Sequence, residues 1–318
     1  MTYVFILTIT GHNNLRLGLI GSGAWGRNIV HTLQSIPSVA LACVVSNNPE
    51  TKNIVPENCL VFPEFNEMLS YDLLDGYIIA TPPEYFFEIG EKILTKGRPI
   101  FIEKPFTCDP NSASLLTELA AQHNTWGIVD HIHLFSKAFR VLEDEVNSIG
   151  SIDRIETIAG KNGPIRNNIS VLWDWGPHDV AMVEKLLGHS PKVVAAQYLD
   201  LPVGAQLGSQ RVLLSLTYPK NIEVSIELSN GFKKNIRRLS VYCREYCITY
   251  EDKGSASICT VMKGSKKYPI RVYKSLEPPL KNALHSFILA INGERPLPSD
   301  LLFGSQIVST LDRAESKL

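Results

Sequence analysis

Residues 15–35 read LRLGLIGSGAWGRNIVHTLQS. The apolar run over 15–20 predicts a β-strand, and the apolar positions of 24–35 recur at helical spacing. Between them lies Gly21-Ser22-Gly23-Ala24-Trp25-Gly26, a GxGxxG run. Set between a strand and a helix, each glycine has a distinct physical role. The first makes a tight turn, the second lets backbone approach a pyrophosphate, and the third lets the helix pack closely. The helix N-terminus adds the positive end of its dipole. This stretch therefore predicts the opening of a βαβ unit that holds a dinucleotide.

The rhythm continues outward. Strands are predicted over 40–45, 76–80, 99–102 and 127–129, with helices over 85–96 and 111–124, the latter opened by Asp109-Pro110 as cap and first-turn proline. This alternation is that of an open parallel α/β sheet. After about residue 136 it gives way to a helix over 137–147, a strand over 154–159, a helix over 178–187 and a β-rich run over 192–272. Within that run, strands are expected over 211–218, 222–228, 238–243, 246–250 and 257–262. Helices over 280–292 and 301–315 close the chain. The predicted fold class is an α/β N-terminal Rossmann domain with a parallel doubly wound sheet, followed by an α+β C-terminal domain with a large, mostly antiparallel sheet.

Composition narrows the functional classes. The 318 residues carry 31 Lys plus Arg against 32 Asp plus Glu, and 44% are apolar. Balanced charge and ample apolar content predict a compact chain, and the length favours two domains. A formal charge of −1 supplies no global field for nucleic acid, and the basic runs Lys233-Lys234 and Arg237-Arg238 read as solvated strand ends. No stretch approaches the ~20 apolar residues of a membrane span, and the opening MTYVFILTIT lacks the flanks of a secretory signal. A cytoplasmic protein with no nucleic-acid or membrane partner is expected. The six cysteines show no CxxC pair, so buried free thiols are expected and no metal site.

Several polar residues invite chemistry. An acidic residue about 20 positions beyond the glycines would mark NAD. Here Ser46-Asn47-Asn48 stands at the end of the second strand, so NAD and NADP both stay open, with NADP slightly favoured by Ser46 in the acidic position; no Arg accompanies it. Lys104 is placed at the carboxyl end of a strand, where an ammonium polarises a substrate oxygen or is simply a solvated charge. Asp174 and His178 lie four apart and share a helical face, which suits a carboxylate orienting a general base or an ordinary helix cap. His131 and His133 alternate onto one face of an extended segment, either lining a substrate cleft or paired in the core. A loop over 161–167, containing Lys161 and Arg166, is rich in donors for a hydroxylated or phosphorylated substrate. Trp173 and Trp175 suit stacking on a sugar face or buried packing.

Four motifs in order carry a resemblance: the glycine loop, DGYIIATPP over 75–83, Glu103-Lys104-Pro105, and WDWGPHD over 173–179. Together they resemble the glucose-fructose oxidoreductase/inositol dehydrogenase/rhizopine catabolism family (Gfo/Idh/MocA), and Pro279-Leu280 with the segment 295–300 fits its closing region. The resemblance implies an NAD(P)-dependent dehydrogenase or reductase acting on a secondary alcohol or ketone of a sugar, polyol or nucleotide-linked sugar. It implies that Lys104, Asp174 and His178 are catalytic, with a cis peptide before Pro105. Cofactor contacts are expected from Gly21, Ser22, Gly23, Ala24, Trp25, Gly26, Ser46, Asn47, Thr81, Pro82, Pro83, Glu103 and Lys104, and substrate contacts from His131, Arg166 and Trp173. Phe86 and Phe87 depart from the family's usual His, Phe or Tyr after the double proline. A homodimer or homotetramer is implied as well. The expected division is an extension over 1–14, an NAD(P)-binding domain over 15–130, and a substrate-binding and oligomerisation domain over 131–318. Two other readings are a non-catalytic NAD(P)-sensing regulator and an NAD-dependent glycoside-cleaving enzyme.

Overall fold

The computed structural model describes residues 14–71, 73–161, 169–294 and 298–318. The expected extension over 1–14 therefore falls, but for its last residue, outside the described residues, as do Arg166 and Arg295-Pro296-Leu297. β1 (Leu15–Ile20) runs through the glycine turn into α1 (Ala24–Gln34) and on to β2 (Val39–Val45). With β3 (Leu60–Phe62), β4 (Gly76–Ile79), β5 (Ile100–Ile102) and β6 (Gly127–Val129) they form an all-parallel sheet ordered β3-β2-β1-β4-β5-β6. The order reverses between β1 and β4, and open sheets of this kind leave a ligand crevice at the carboxyl ends beside such a reversal.

The first glycine is demanded by geometry. Gly21 has φ 101°, and a Cβ there would lie 2.5 Å from the Ala80 carbonyl oxygen just beyond β4. A Cβ on Gly26 would lie 2.2 Å from the Gly21 oxygen. Any larger residue at either position would push α1 off the sheet. α1 packs there through Gly26, Ile29, Val30 and Leu33, one helical stripe. Every residue of β4 and β5 is buried, as a parallel sheet with helices on both faces requires. α2 (Phe65–Ser70), α3 (Phe86–Thr95) and α4 (Pro110–Gln122) complete these layers, and Asp109 caps α4 by accepting from Asn111 and Ser112 backbone N–H groups.

A second sheet follows α5 (Lys137–Ile149). It comprises β7 (Arg154–Gly160), β8 (Val193–Tyr198), β9 (Arg211–Tyr218), β10 (Ile222–Ser229), β11 (Ile236–Cys243), β12 (Tyr246–Asp252), β13 (Ser257–Lys263) and β14 (Arg271–Ser275), ordered β14-β13-β12-β11-β7-β10-β9-β8. Among the described residues its one parallel pair is β7 with β10, so the sheet is mostly antiparallel, as expected. The fold class is that of the sequence reading. Strands such as β9 alternate buried and open positions because only one face is covered by helices.

α6 (Val171–Leu187) begins seven residues earlier than the sequence reading places it. Pro177 there invites reading as a helix start, yet it lies inside the helix. Lacking an N–H, it leaves the Trp173 carbonyl without its helical donor and loosens the turn that carries the site. The last two helices, α7 (Pro279–Ile291) and α8 (Leu301–Glu315), return to the first sheet: a Cβ on Gly76 would touch Phe287 and Ile291, and Leu301 and Gly304 sit against Gly127 and Val129. Val129 N–H donates to Ser299 O at 3.0 Å, Ile128 bridges Asp300, and Asp300 caps α8 through Phe303 N–H. None of the described helices is long and apolar enough to cross a membrane. Cys43, Cys59, Cys243 and Cys259 are buried free thiols, whereas Cys108 is exposed and Cys247 half-buried.

Between α6 and α8 the Glu184 carboxyl accepts from Thr310 Oγ1 at 2.7 Å and Ser190 Oγ at 3.0 Å. Burial pushes its pKa up to about 7, the two hydroxyls opposing only in part. A carboxyl whose pKa rises on folding binds its proton more tightly in the native state, so stability falls as pH climbs from the unfolded value near ~4.3 to about 7, then levels. Glu184→Gln keeps both hydrogen bonds and removes the ionisation. Urea unfolding followed against pH should show the variant gaining up to about 3 kcal/mol on wild type across that window, with no difference at acid pH.

Candidate active site

The cleft between the sheets has a volume of about 1020 Å³. Its floor on the first sheet is Trp25, Thr81, Pro82, Pro83, Glu103 and Lys104; α6 contributes Asp174, Trp175 and His178. Lys104 leaves the carboxyl end of β5 and precedes a cis Lys104–Pro105 peptide. Its Nζ donates to the Asp174 backbone oxygen and lies 3.4 Å from Asp174 Oδ1. Burial pushes the Lys104 ammonium below its ordinary pKa, and the charges of Asp174 and Glu103 oppose that.

The expected trio therefore meets in one cleft, but its internal pairing differs. Asp174 is bound to Lys104, while His178 Nδ1 is buried with no hydrogen-bond partner among the described residues. The imidazole is instead held by neighbouring rings: His133 stands edge-on to His178 at 4.9 Å between centroids, and His133 Nδ1 lies 2.9 Å from Tyr250 Oη. Burial, reinforced by His133, Arg237, Lys104 and His131, depresses the His178 pKa well below its ordinary value. The ring is neutral at neutral pH and presents a lone pair, which is the state a general base needs.

Of the two places the sequence left open for His131, cleft or core, the structure gives it the core, away from the cleft lining where a substrate contact was expected. It is 1% exposed and hydrogen-bonds Ser299 Oγ through Nδ1 at 2.8 Å, with burial lowering its pKa to about 3. The cause is a short 3-10 turn over Ile132–Phe135, which breaks the extended alternation and sends His133 alone into the cleft. Trp173 is likewise buried, and Trp175, two residues on, faces the cleft. Arg237, Asn230 and Asn235 also line it from the second sheet, residues that no motif marked. Arg237 pairs with fully buried Asp179 at 2.5 Å and lies over the Trp175 ring at 5.2 Å. Burial raises the Asp179 pKa and Arg237 opposes it.

The glycine loop fits a dinucleotide on structural grounds. A Cβ on Gly23 would meet nothing within 4 Å, so open space faces the loop where the backbone must approach a ligand. Gly23 caps α1 without a side-chain hydrogen bond, leaving first-turn N–H groups free of side-chain caps. Thr81 Oγ1 is a buried hydroxyl without a partner beside the same opening. At the end of β2, Ser22, Ser46 and Thr51 form a triangle of hydroxyls at 2.5, 2.7 and 2.8 Å, and Ser46 Oγ also accepts from Asn48 N–H. Ser46 is thus turned inward, and Asn47 is exposed at the strand end.

These features define an oxidoreductase built on a nucleotide-binding sheet. A family model described as "Oxidoreductase family, NAD-binding Rossmann fold" matches residues 15–131. A crystal structure from Magnetospirillum magnetotacticum MS-1 superposes with TM-score 0.85 at 30% identity, covering 94% of this chain and 99% of that one. UDP-N-acetylglucosamine 3-dehydrogenase of Acidithiobacillus ferrooxidans is 28% identical over 58% of each chain, and its structure matches with TM-score 0.81 over 96% of this chain and 97% of that one at 21% identity. Inositol 2-dehydrogenase of Corynebacterium glutamicum strain R is 21% identical over 69% of each chain. The chain belongs to the Gfo/Idh/MocA oxidoreductase family.

Arg237→Met should leave the Asp179 charge buried and unpaired. Thermal or urea unfolding should show a loss of about 3–5 kcal/mol, much of it recovered in the double variant with Asp179→Asn.

Proposed function

We propose that this chain is an NAD(P)-dependent dehydrogenase or reductase that interconverts a secondary alcohol and its ketone on a sugar, polyol or nucleotide-linked sugar. The observation that carries the reading is the convergence of Lys104 and His178, from opposite sides of the interface between the sheets, on one cleft beside the glycine loop. Backbone of Gly21, Ser22, Gly23, Ala24, Trp25 and Gly26 would hold the pyrophosphate, Ser46 and Asn47 the adenosine ribose, and Thr81, Pro82, Pro83, Glu103 and Lys104 the nicotinamide half. The bound nicotinamide supplies the hydride acceptor or donor.

In the oxidising direction His178 takes the hydroxyl proton on its neutral ring. Lys104 holds the same oxygen and stabilises the negative charge that develops there. Asp174 keeps the ammonium aimed, a role drawn from its contacts with Lys104. Asn230, Asn235 and the Trp175 face offer the amides and ring that recognise hydroxyls and a sugar plane, and the likeness to a UDP-N-acetylglucosamine dehydrogenase supports a nucleotide-linked sugar. NADP is favoured over NAD because Ser46, not a carboxylate, ends β2; Glu50 nearby is bound to Asn53 Nδ2 at 2.9 Å. Exposed Val193, Tyr198 and Val272 at the two edges of the second sheet support a homo-oligomer, and the reading places the protein in the cytoplasm.

A thermal-shift screen with NADH, NADPH and a panel of sugar nucleotides and polyols should identify both ligands, since binding to the native state alone raises stability. With the substrate so found, stopped-flow absorbance of the nicotinamide band should show Lys104→Ala and His178→Ala each slowing hydride transfer by on the order of 10²–10⁴-fold. Near-normal transfer in both variants would overturn the assignment.

A further inference from the structure

Asp130 follows β6 directly and is 0% exposed, yet among the described residues neither of its carboxyl oxygens makes a well-formed hydrogen bond; the Trp25 indole N–H, given to Glu103, lies near enough to oppose its burial only weakly. Its side-chain partner is another acid. Ile102 of β5 pairs with Val129 of β6, so the next residues along the two parallel strands, Glu103 and Asp130, leave the sheet side by side. Backbone bonds fix both, Glu103 N–H to Ile79 O at 3.0 Å and Asp130 N–H to Ile102 O at 2.8 Å. Their carboxyl groups are within hydrogen-bonding reach of each other. The indole N–H of Trp25, from α1, is given to Glu103 Oε1.

Two ionised carboxylates cannot share so small a buried space with a single indole N–H to serve both. We propose that Asp130 is a positioning residue that stays protonated and donates its carboxyl hydrogen to Glu103, so that the pair presents a single negative charge to the cofactor end of the cleft. Glu103 is then fixed from two sides, by the Asp130 hydroxyl and the Trp25 indole. Lys104 faces one neighbouring anion on its own sheet instead of two, besides Asp174 across the cleft. Outside the pair, the charged group acting on both acids is Lys104, which favours their ionised forms, as does the Trp25 indole. Burial raises Asp130 well above the ordinary carboxylate range, with the Glu103 charge adding to it, and burial lifts Glu103 to about 7.

The proton is a property of the pair itself, whereas the consequence for cofactor binding rests on the oxidoreductase reading. Infrared difference spectroscopy of the full chain at about pH 9, above the value of about 7 reached by Glu184, tests the proton directly. A protonated-carboxyl stretch should persist in wild type, shift on isotopic labelling of aspartate, and vanish in Asp130→Asn. Its absence in wild type, which needs no variant to fold, overturns the proposal, as does its survival in Asp130→Asn. NADH and NADPH titrations followed by fluorescence test the positioning role. Asp130→Ala should weaken the preferred nicotinamide about tenfold, the effect of losing one hydrogen bond to a charged group. Asp130→Asn, whose amide donates to Glu103 in place of the carboxyl, should restore most of that loss and leave the pH dependence of binding between about pH 6 and 9, which belongs to Glu103, as in wild type. Equal affinities for wild type and Asp130→Ala across that range overturn the role. Binding of neither nicotinamide to wild type sinks the oxidoreductase reading instead, and the infrared result then decides Asp130 alone.

Discussion

The contact between Lys104 and Asp174 is the constraint on which the site depends. One partner leaves the parallel sheet, and the other stands on the helix that covers the antiparallel sheet. Joining them sets the spacing between the two halves at the depth of the cleft. A buried ammonium is costly without an anion, and Asp174 supplies both a carboxylate and a backbone oxygen. The ammonium proposed to bind a substrate oxygen is thus held by oxygen at rest.

Around this contact the interior is arranged so that few unbalanced charges remain. Arg237 answers Asp179, and the three histidines are neutral through burial and the nearby cations. The neutral rings matter to the chemistry: a protonated His178 could take no further proton, and cations on two sides make that state unfavourable before substrate enters. His133, anchored on Tyr250, gives His178 a rigid neighbour where a carboxylate partner is missing. The same cations favour an anionic oxygen at the centre of the cleft.

Much of this was readable in advance, for identifiable reasons. The period of 15–35 reveals β1 and α1 because a strand buried on both faces and a helix striped on one leave unmistakable patterns. β9 and α8 were legible to the residue for the same reason. β3 and α2 were not: unlike the equally short but fully buried β5 and β6, β3 is partly open, and the six residues of α2 make under two helical turns. The start of α6 was hidden by Pro177, whose usual place is the first helical turn. Lys104 and His178 could be found because they sit in local motifs. Arg237, Asn230 and Asn235 sit in ordinary strand-and-turn sequence and become neighbours of the site only through the pairing of β10 and β11 with β7. His131 exchanged roles with His133 because one short turn overrides strand alternation, and Asp130 was overlooked because a carboxylate at a strand end is normally solvated.

The return of the chain's final helices to the first sheet has a bearing on how the protein is made. β6 would be an open edge, ready to pair with a strand of another molecule, if Ser299 and Asp300 did not occupy it. Those residues are made about 170 positions after β6. The nucleotide-binding half therefore stays incomplete along that edge until those residues have been made, and its closure is a contact of high sequence separation that forms late. Premature termination would leave not a shorter enzyme but a sheet with an unprotected border, open to strand addition and to capture by chaperones.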